Sequence, residues 1–269
     1  MQERPDWIPE GVDLAKPSAA RCYDFYLGGA HNFEADRELG RQVMKVVPNV
    51  QEVAVNNRAF LRRAVRYCLD QGIRQFLDIG SGIPTAGNVH EIVHAVDPEA
   101  RVVYVDNEPV AVAHSRTILG DNERATVVQA DLLDVEDVLD APETQAMLDF
   151  SQPIAVMMVA LVHFVPESKK PRDVIRRYYE RLPAGSYLGF SHVTGDHYPE
   201  GVQGLVKLYE SSSNPVTLRT RDEVAEMIDD FEIVEPGVVY VPNWRPDTPE
   251  DAWENPERSI VYGAVGRKA

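Results

Sequence analysis

The chain has 269 residues, 44% of them hydrophobic, enough to fill a core and to exclude a mainly disordered state. Its formal net charge is −16, with 43 acidic against 27 basic residues. That excludes the broad basic face needed by a binder of nucleic acid or of an anionic membrane.

Two cysteines, Cys22 and Cys68, make neither a disulfide framework nor a metal-ligand pattern, which favours a reducing interior. The opening Met1–Trp7 has no apolar signal core, and the longest apolar run, Ile154–Val165, is broken by His163 and too short to cross a bilayer. A soluble, cytoplasmic protein is expected. Residues 1–71 precede any strand pattern and read as mostly helical after Asp36. Within them, 51–70 form an amphipathic helix with Val53, Phe60, Leu61, Val65 and Leu69 on its apolar positions. No linker follows, so 1–71 is expected to be a helical cap on a core of 72–269, the two making one domain. Arg58, Arg62, Arg63 and Arg66 recur at helical spacing, as a solvated helix face or a local basic patch.

From Gly72 onward strands and helices alternate, the pattern of an α/β fold with a mostly parallel sheet and helices on both faces. Strands are predicted near 74–79, 101–106, 125–130, 154–160 and 186–192. Helices fall between them, including 87–96, 172–182 and 220–229, the last with a Thr220/Glu223 capping box. Late strands near 231–234 and 259–265 complete seven.

The most informative stretch is Gln75-Phe-Leu-Asp-Ile-Gly-Ser-Gly82, an apolar strand ending in an acid and a glycine turn. Gly80 and Gly82 let the backbone approach a ligand closely. A dinucleotide fingerprint needs a third glycine, but that position is Thr85, preceded by Pro84. The remaining Asp-x-Gly-x-Gly suits S-adenosylmethionine (SAM), whose cationic amino-acid end Asp78 would receive. An ordinary tight turn is the bland alternative. The next strand ends at Asp106-Asn107, where a carboxylate would accept from ribose hydroxyls or either residue would cap a helix. The third ends at Asp131-Leu132, an acid for the adenine amine and an apolar cover, or again a capped turn. Three acids at successive strand ends favour the nucleoside reading.

Several stretches together resemble one family, the actinobacterial S-adenosyl methyltransferases. They are Pro17-Ser-Ala-Ala-Arg-Cys-Tyr-Asp-Phe-Tyr-Leu-Gly-Gly29, Asn32-Phe-Glu-Ala-Asp36, Asn57-Arg-Ala-Phe-Leu-Arg-Arg-Ala64, Asp78-Ile-Gly-Ser-Gly-Ile-Pro-Thr85, Val103-Tyr-Val-Asp-Asn107, Val159-Ala-Leu-Val-His-Phe-Val-Pro166 and Trp244-Arg-Pro-Asp247. The resemblance spans nearly the whole chain. It departs at Leu161-Val162-His163, where the family shows Val-Leu-His. It implies a class I SAM-dependent methyltransferase fold, Rossmann-like, with a seven-stranded, mostly parallel sheet whose last strand runs antiparallel. It also implies SAM as the cofactor and leaves the methyl acceptor open. In such a fold the leading segment covers the cofactor. Tyr23 and Tyr26, beside the Gly28-Gly29 hinge, would then face the sulfonium by cation–π contact or fill the junction between cap and sheet, with Phe25 behind them. Arg58 would fork onto the SAM carboxylate or point to solvent. His163 and then His192, each after a predicted strand, are the candidate general bases; His163 packed beneath the cofactor is the alternative. His31 and His197 rank lower, on less ordered segments.

The acidic charge and the lack of an appended recognition domain point to a small-molecule acceptor, without nucleic acid or membrane; a homo-oligomer is compatible with the sequence. Two rival functions remain. One is a non-catalytic SAM-binding sensor or assembly subunit. The other is a zinc hydrolase, because His90-Glu-Ile-Val-His94 matches H-E-x-x-H, with Glu108 or Glu123 as a third ligand. The extended metzincin form is absent, since Ala95-Val-Asp-Pro follows His94.

Overall fold

The computed structural model describes residues 8–9, 12–84, 87–210 and 212–269. Met1–Trp7 and Thr85, on which readings above fall, lie outside the described residues. Three helices come first: α1 (Ala19–Tyr26), α2 (Glu34–Val46) and α3 (Val50–Asp70). Then β1 (Gln75–Ile79), α4 (Val89–His94), β2 (Arg101–Asp106), α5 (Pro109–Leu119) and β3 (Ala125–Gln129) alternate. They are followed by α6 (Val135–Leu139), α7 (Pro142–Met147), β4 (Ala155–Val159), α8 (Pro171–Arg181) and β5 (Tyr187–Val193). The chain closes with α9 (Pro199–Tyr209), α10 (Arg221–Met227), β6 (Glu232–Ile233), β7 (Val239–Tyr240) and β8 (Val261–Arg267).

The sheet order is β3-β2-β1-β4-β5-β8-β6, with β7 also on β8. Strands β1 to β5 pair in parallel, and β8 runs antiparallel to β5. The seven expected strands are therefore joined by an eighth. Both β6 and β7 pair with β8, at Ile233↔Gly266 and Val239↔Gly263. Pro236, which has no N–H to give a ladder, lies between them and splits this edge into two short pieces.

Strand side chains alternate between two cores. Phe76, Val102 and Met157 face one, with α1 to α4 and α9; Leu77, Val103 and Met158 face the other, with α6, α8 and α10. Burial on both faces explains why β4 reads as an unbroken apolar run rather than an alternating one. The N-terminal helices share the first core with the sheet. One departure from the sequence reading is α1, which is helical ahead of Asp36, with Ser18 capping it by accepting from Arg21 N. The arginine run on α3 also divides. Arg63 turns inward and donates to the carbonyls of Trp244 (2.9 Å) and Val241 (2.6 Å), while Arg62 and Arg66 pair with Asp247 at the surface.

The H-E-x-x-H histidines are used in packing. His90 Nδ1 bonds the Tyr104 hydroxyl at 2.7 Å, and His94 Nε2 bonds Ala100 O at 2.9 Å. Among the described residues no group of three or more His, Cys, Asp or Glu is placed to hold a metal ion, and no helix is long and apolar enough to cross a membrane.

Candidate functional site

A cavity of about 560 Å³ opens at the carboxyl ends of β1 to β4. It lies where the strand order reverses between β1 and β4, the place ligands take in open α/β sheets. Its size is that of small-molecule sites, roughly 300–1,000 Å³.

The glycine turn forms its floor. The N–H groups of Gly80 and Ser81 both donate to Val105 O, at 2.8 and 3.2 Å, which bends the chain sharply off β1. Gly80 (φ 69°) and Gly82 (φ 67°) take the left-handed backbone that this bend needs. A Cβ on Gly80 would overlap Leu161, whereas a Cβ on Gly82 would point into open space. Gly82 N donates to Asp106 Oδ2 (2.7 Å) and Glu108 N to Asp106 Oδ1 (2.8 Å), so the second strand end is tied to the first.

Asp78 and Asp106 line the cavity and are buried, 5% and 7% exposed. Burial pushes the Asp78 carboxyl up to about 7, against the pull of the Arg58 charge and with the push of Asp106. Burial likewise raises Asp106 to about 6, although the N–H bonds from Glu108 and Gly82 favour its ionised form. Such acids await a cation or hydrogen-bond donors. Asp131 and Leu132 line the same cavity; Asp131 accepts from Leu133 N (3.0 Å) and from Asn107 Nδ2 (3.3 Å).

Tyr23, Tyr26 and Arg58 come from α1 and α3 to line the opposite side. The Tyr23 hydroxyl donates to Ala54 O (3.0 Å) and accepts from Asn57 Nδ2 (3.0 Å). Asn57 Oδ1 in turn accepts from Ser191 Oγ (2.7 Å), which accepts from Ala160 N (2.9 Å). This chain of bonds fixes the cap to the ends of β4 and β5. The Tyr26 hydroxyl meets that of Tyr209 at 3.2 Å. Phe25 does not line the cavity and packs against Gly40 of α2.

The two candidate bases part company. His163 lines the cavity at 4% exposure, and its Nδ1 has no partner among the described residues. Burial and the nearby Arg219 charge push its imidazole down to about 3. His192 does not line the cavity. It is fully buried, its Nδ1 donates to Val193 O (2.8 Å), and its Nε2 accepts from Arg219 Nη1 (2.8 Å). Its one basic lone pair is thereby taken. Neither His31, whose ring lies tilted with its centroid 3.7 Å from that of His114, nor His197, which bonds Tyr240, lines the cavity.

Sequence reasoning missed Arg21 and Asp36. Arg21, 2% exposed, donates to Asp36 Oδ2 (2.9 Å), Glu108 Oε1 (3.0 Å) and Lys16 O (2.6 Å). It therefore joins α1 to α2 and to the turn that holds Asp106. The usable signal was Arg21, the one basic residue of Ser18–Gly29, since charge is buried only when paired.

The chain matches the family model described as S-adenosyl methyltransferase over residues 5–269. Among solved structures it is similar to a DUF574 family protein from Streptomyces avermitilis MA-4680, with 40% identity over 96% of this chain and 99% of that one, at a TM-score of 0.92. It is equally similar to a candidate methyltransferase from Thermobifida fusca YX, with 40% identity, 98% and 99% coverage and a TM-score of 0.91. An O-methyltransferase family protein from Burkholderia thailandensis, 14% identical, shares the fold at a TM-score of 0.51 over 95% of this chain and 65% of that one. No curated protein sequence matches the chain.

Proposed function

Because the chain belongs to the S-adenosyl methyltransferase family and is a SAM-dependent methyltransferase, we propose that SAM occupies the strand-end cavity and that the acceptor is a small molecule. One observation carries this: Asp78, Asp106 and Asp131, from three successive strand ends, converge with Gly80 and Gly82 on a single cavity. Their chemistry fits the cofactor. Asp78, buried and held near neutrality, matches an ammonium group. Asp106 has two carboxylate oxygens for ribose hydroxyls, Asn107 stands beside it, and Asp131 with Leu132 suits an adenine edge and face. Gly82 leaves open the space a side chain would fill. Arg58 receives the cofactor carboxylate, and Tyr23 and Tyr26 close the site from the cap.

When bound, SAM supplies a methyl group on a cationic sulfur, open to in-line attack. The chain's own part is alignment and exclusion of water. We assign His163 to orient the acceptor by hydrogen bonding. With its imidazole pushed down to about 3, taking a proton at neutral pH costs on the order of a few kcal/mol, which disfavours it as the base. His192 serves as a positioning residue: it holds Arg219, whose Nη2 donates to Val165 O (3.1 Å) and braces the turn that carries His163. Residues 1–71 act as a cap within a single folding unit, and two buried free cysteines support a cytoplasmic setting. Calorimetric titration with S-adenosylhomocysteine tests the cofactor site. A thermal-shift screen of metabolites with SAM present tests the acceptor class. Failure of every small molecule in such a screen, with cofactor bound, would remove that part of the proposal.

A further inference from the structure

We infer that the acceptor is an electrically neutral, mainly apolar molecule, seated in the half of the cavity walled by α3, α9 and the strand β8. The inference rests on SAM occupying the strand-end half. The lining charges divide sharply between the halves. Asp78, Asp106, Glu108 and Asp131 all stand at the ends of β1 to β3, and Arg58 acts directly on Asp78. The other half is lined by Val53, Leu61, Leu205, Tyr209, Val216 and Val261, each at most 8% exposed. The ionised side chains lining the cavity away from the strand ends are Arg58 of α3, whose charge acts on Asp78, and Lys169, which is exposed.

The polar groups in that half are largely engaged with one another. The Tyr26 and Tyr209 hydroxyls share a bond, and Asn57 bonds both Tyr23 and Ser191. A charged acceptor would lose its hydration there and find no buried counter-ion beyond Arg58, which Asp78 and the cofactor carboxylate would engage, a cost that apolar contacts do not repay. A neutral one gains from burial of its apolar surface. His163, with Nδ1 unpartnered among the described residues, offers a hydrogen-bonding group at the junction of the two halves. The cavity thus holds an acceptor chamber beyond the cofactor residues, which a pure SAM sensor would not need.

Three probes of one shape and different charge test this: naphthol, naphthoate and naphthylmethylammonium, each titrated into the full chain saturated with S-adenosylhomocysteine. Naphthol is expected to bind at least about tenfold more tightly than either ion. In Leu205→Lys the preference should move toward naphthoate while S-adenosylhomocysteine affinity stays within about twofold; a melting curve confirms that the variant folds, and the wild-type series decides the matter without it. Binding of either ion as tight as that of naphthol would overturn the inference. So would S-adenosylhomocysteine binding with no naphthol binding. If S-adenosylhomocysteine itself fails to bind, the cofactor assignment falls, and this inference with it.

Discussion

Asp78 and Asp106, at the ends of β1 and β2, and Asp131, just past β3, reach the cavity from consecutive strand ends of one local βαβαβ stretch. Val53, Leu205, Val216 and Val261 reach it from α3, α9, the segment after α9 and β8, elements spread along the chain. The strand-end half is polar, tied by backbone hydrogen bonds, and shaped by two glycines. The other half is apolar and defined only by what packs against what. On the proposed function, this difference would separate recognition of a charged nucleoside from reception of a second molecule. It also identifies the joint between the halves, where Arg21 connects the cap to Glu108 and the Tyr23–Asn57–Ser191 chain connects it to the ends of β4 and β5.

Breaking that joint should have the largest effect. Arg21→Met leaves Asp36, fully buried, with its bonds from Ser18 N and Phe33 N but no counter-charge, and removes the ion pair of Glu108. A loss of about 3–5 kcal/mol of stability is expected, measured by chemical denaturation; a loss below about 1 kcal/mol would mean that the cap is held mainly by its apolar face.

The two glycines sharpen the comparison within the strand-end half. Both Gly80→Ala and Gly82→Ala carry a left-handed backbone cost of about 1–2 kcal/mol. Only Gly80→Ala also overlaps Leu161, so it should melt lower than Gly82→Ala. Gly82→Ala places its methyl group in open cavity space and should weaken S-adenosylhomocysteine binding more than its own modest melting shift suggests. Equal melting temperatures for the two variants would contradict the packing role given to Gly80.

The pH dependence isolates Asp78. Its carboxyl titrates near 7 in the free protein, and an ammonium ligand favours the ionised form. Below about pH 7 binding must therefore release a proton, and affinity should fall by up to about tenfold per pH unit. Asp106, raised to about 6, adds to the fall below that pH. Calorimetry in buffers of different ionisation enthalpy reads the proton directly. In Asp78→Asn binding should be weak, with most of this slope gone. No proton release at pH 6 in the wild type would exclude Asp78 as the receiver.

His163→Asn gives the smallest expected change in cofactor affinity, within about twofold, with turnover reduced once an acceptor is known. The pH profile of kcat at saturating SAM, where the titration of Asp78 no longer enters, separates its two roles, because an orienting neutral histidine leaves no inflection near neutrality, whereas a base would leave one.

The strand-end half was legible in the sequence because its determinants are local. An apolar run ending in an acid and a glycine turn specifies both the strand and the place where its ligand sits, and the 3.6-residue period of Gln51–Asp70 specified α3. The strand edge at β6 and β7 was read only in part, since two-residue strands interrupted by Pro236 carry too short a pattern. His192 was misleading because it falls at the carboxyl end of β5, where a catalytic residue could stand, while its side chain is committed to Arg219, a partner visible only in three dimensions. The helix α1 was hidden because its buried residues include Arg21 and Asp24, charges that a hydrophobic period does not register. The apolar chamber was illegible for the same reason. Nothing local in Leu205 or Val216 says that they face one another's neighbours across a cavity.

The proposed cofactor site stands or falls on Asp106, which joins two strand ends and lines the cavity. Titration of S-adenosylhomocysteine into the wild-type protein and into Asp106→Ala at pH 8 measures this directly. One site per chain is expected in the wild type. In the variant, losing charge-assisted bonds of about 1.5–3 kcal/mol each should weaken affinity by roughly a hundredfold or more. Equal affinity in the two proteins, with both folded, would place the cofactor elsewhere and contradict the assignment.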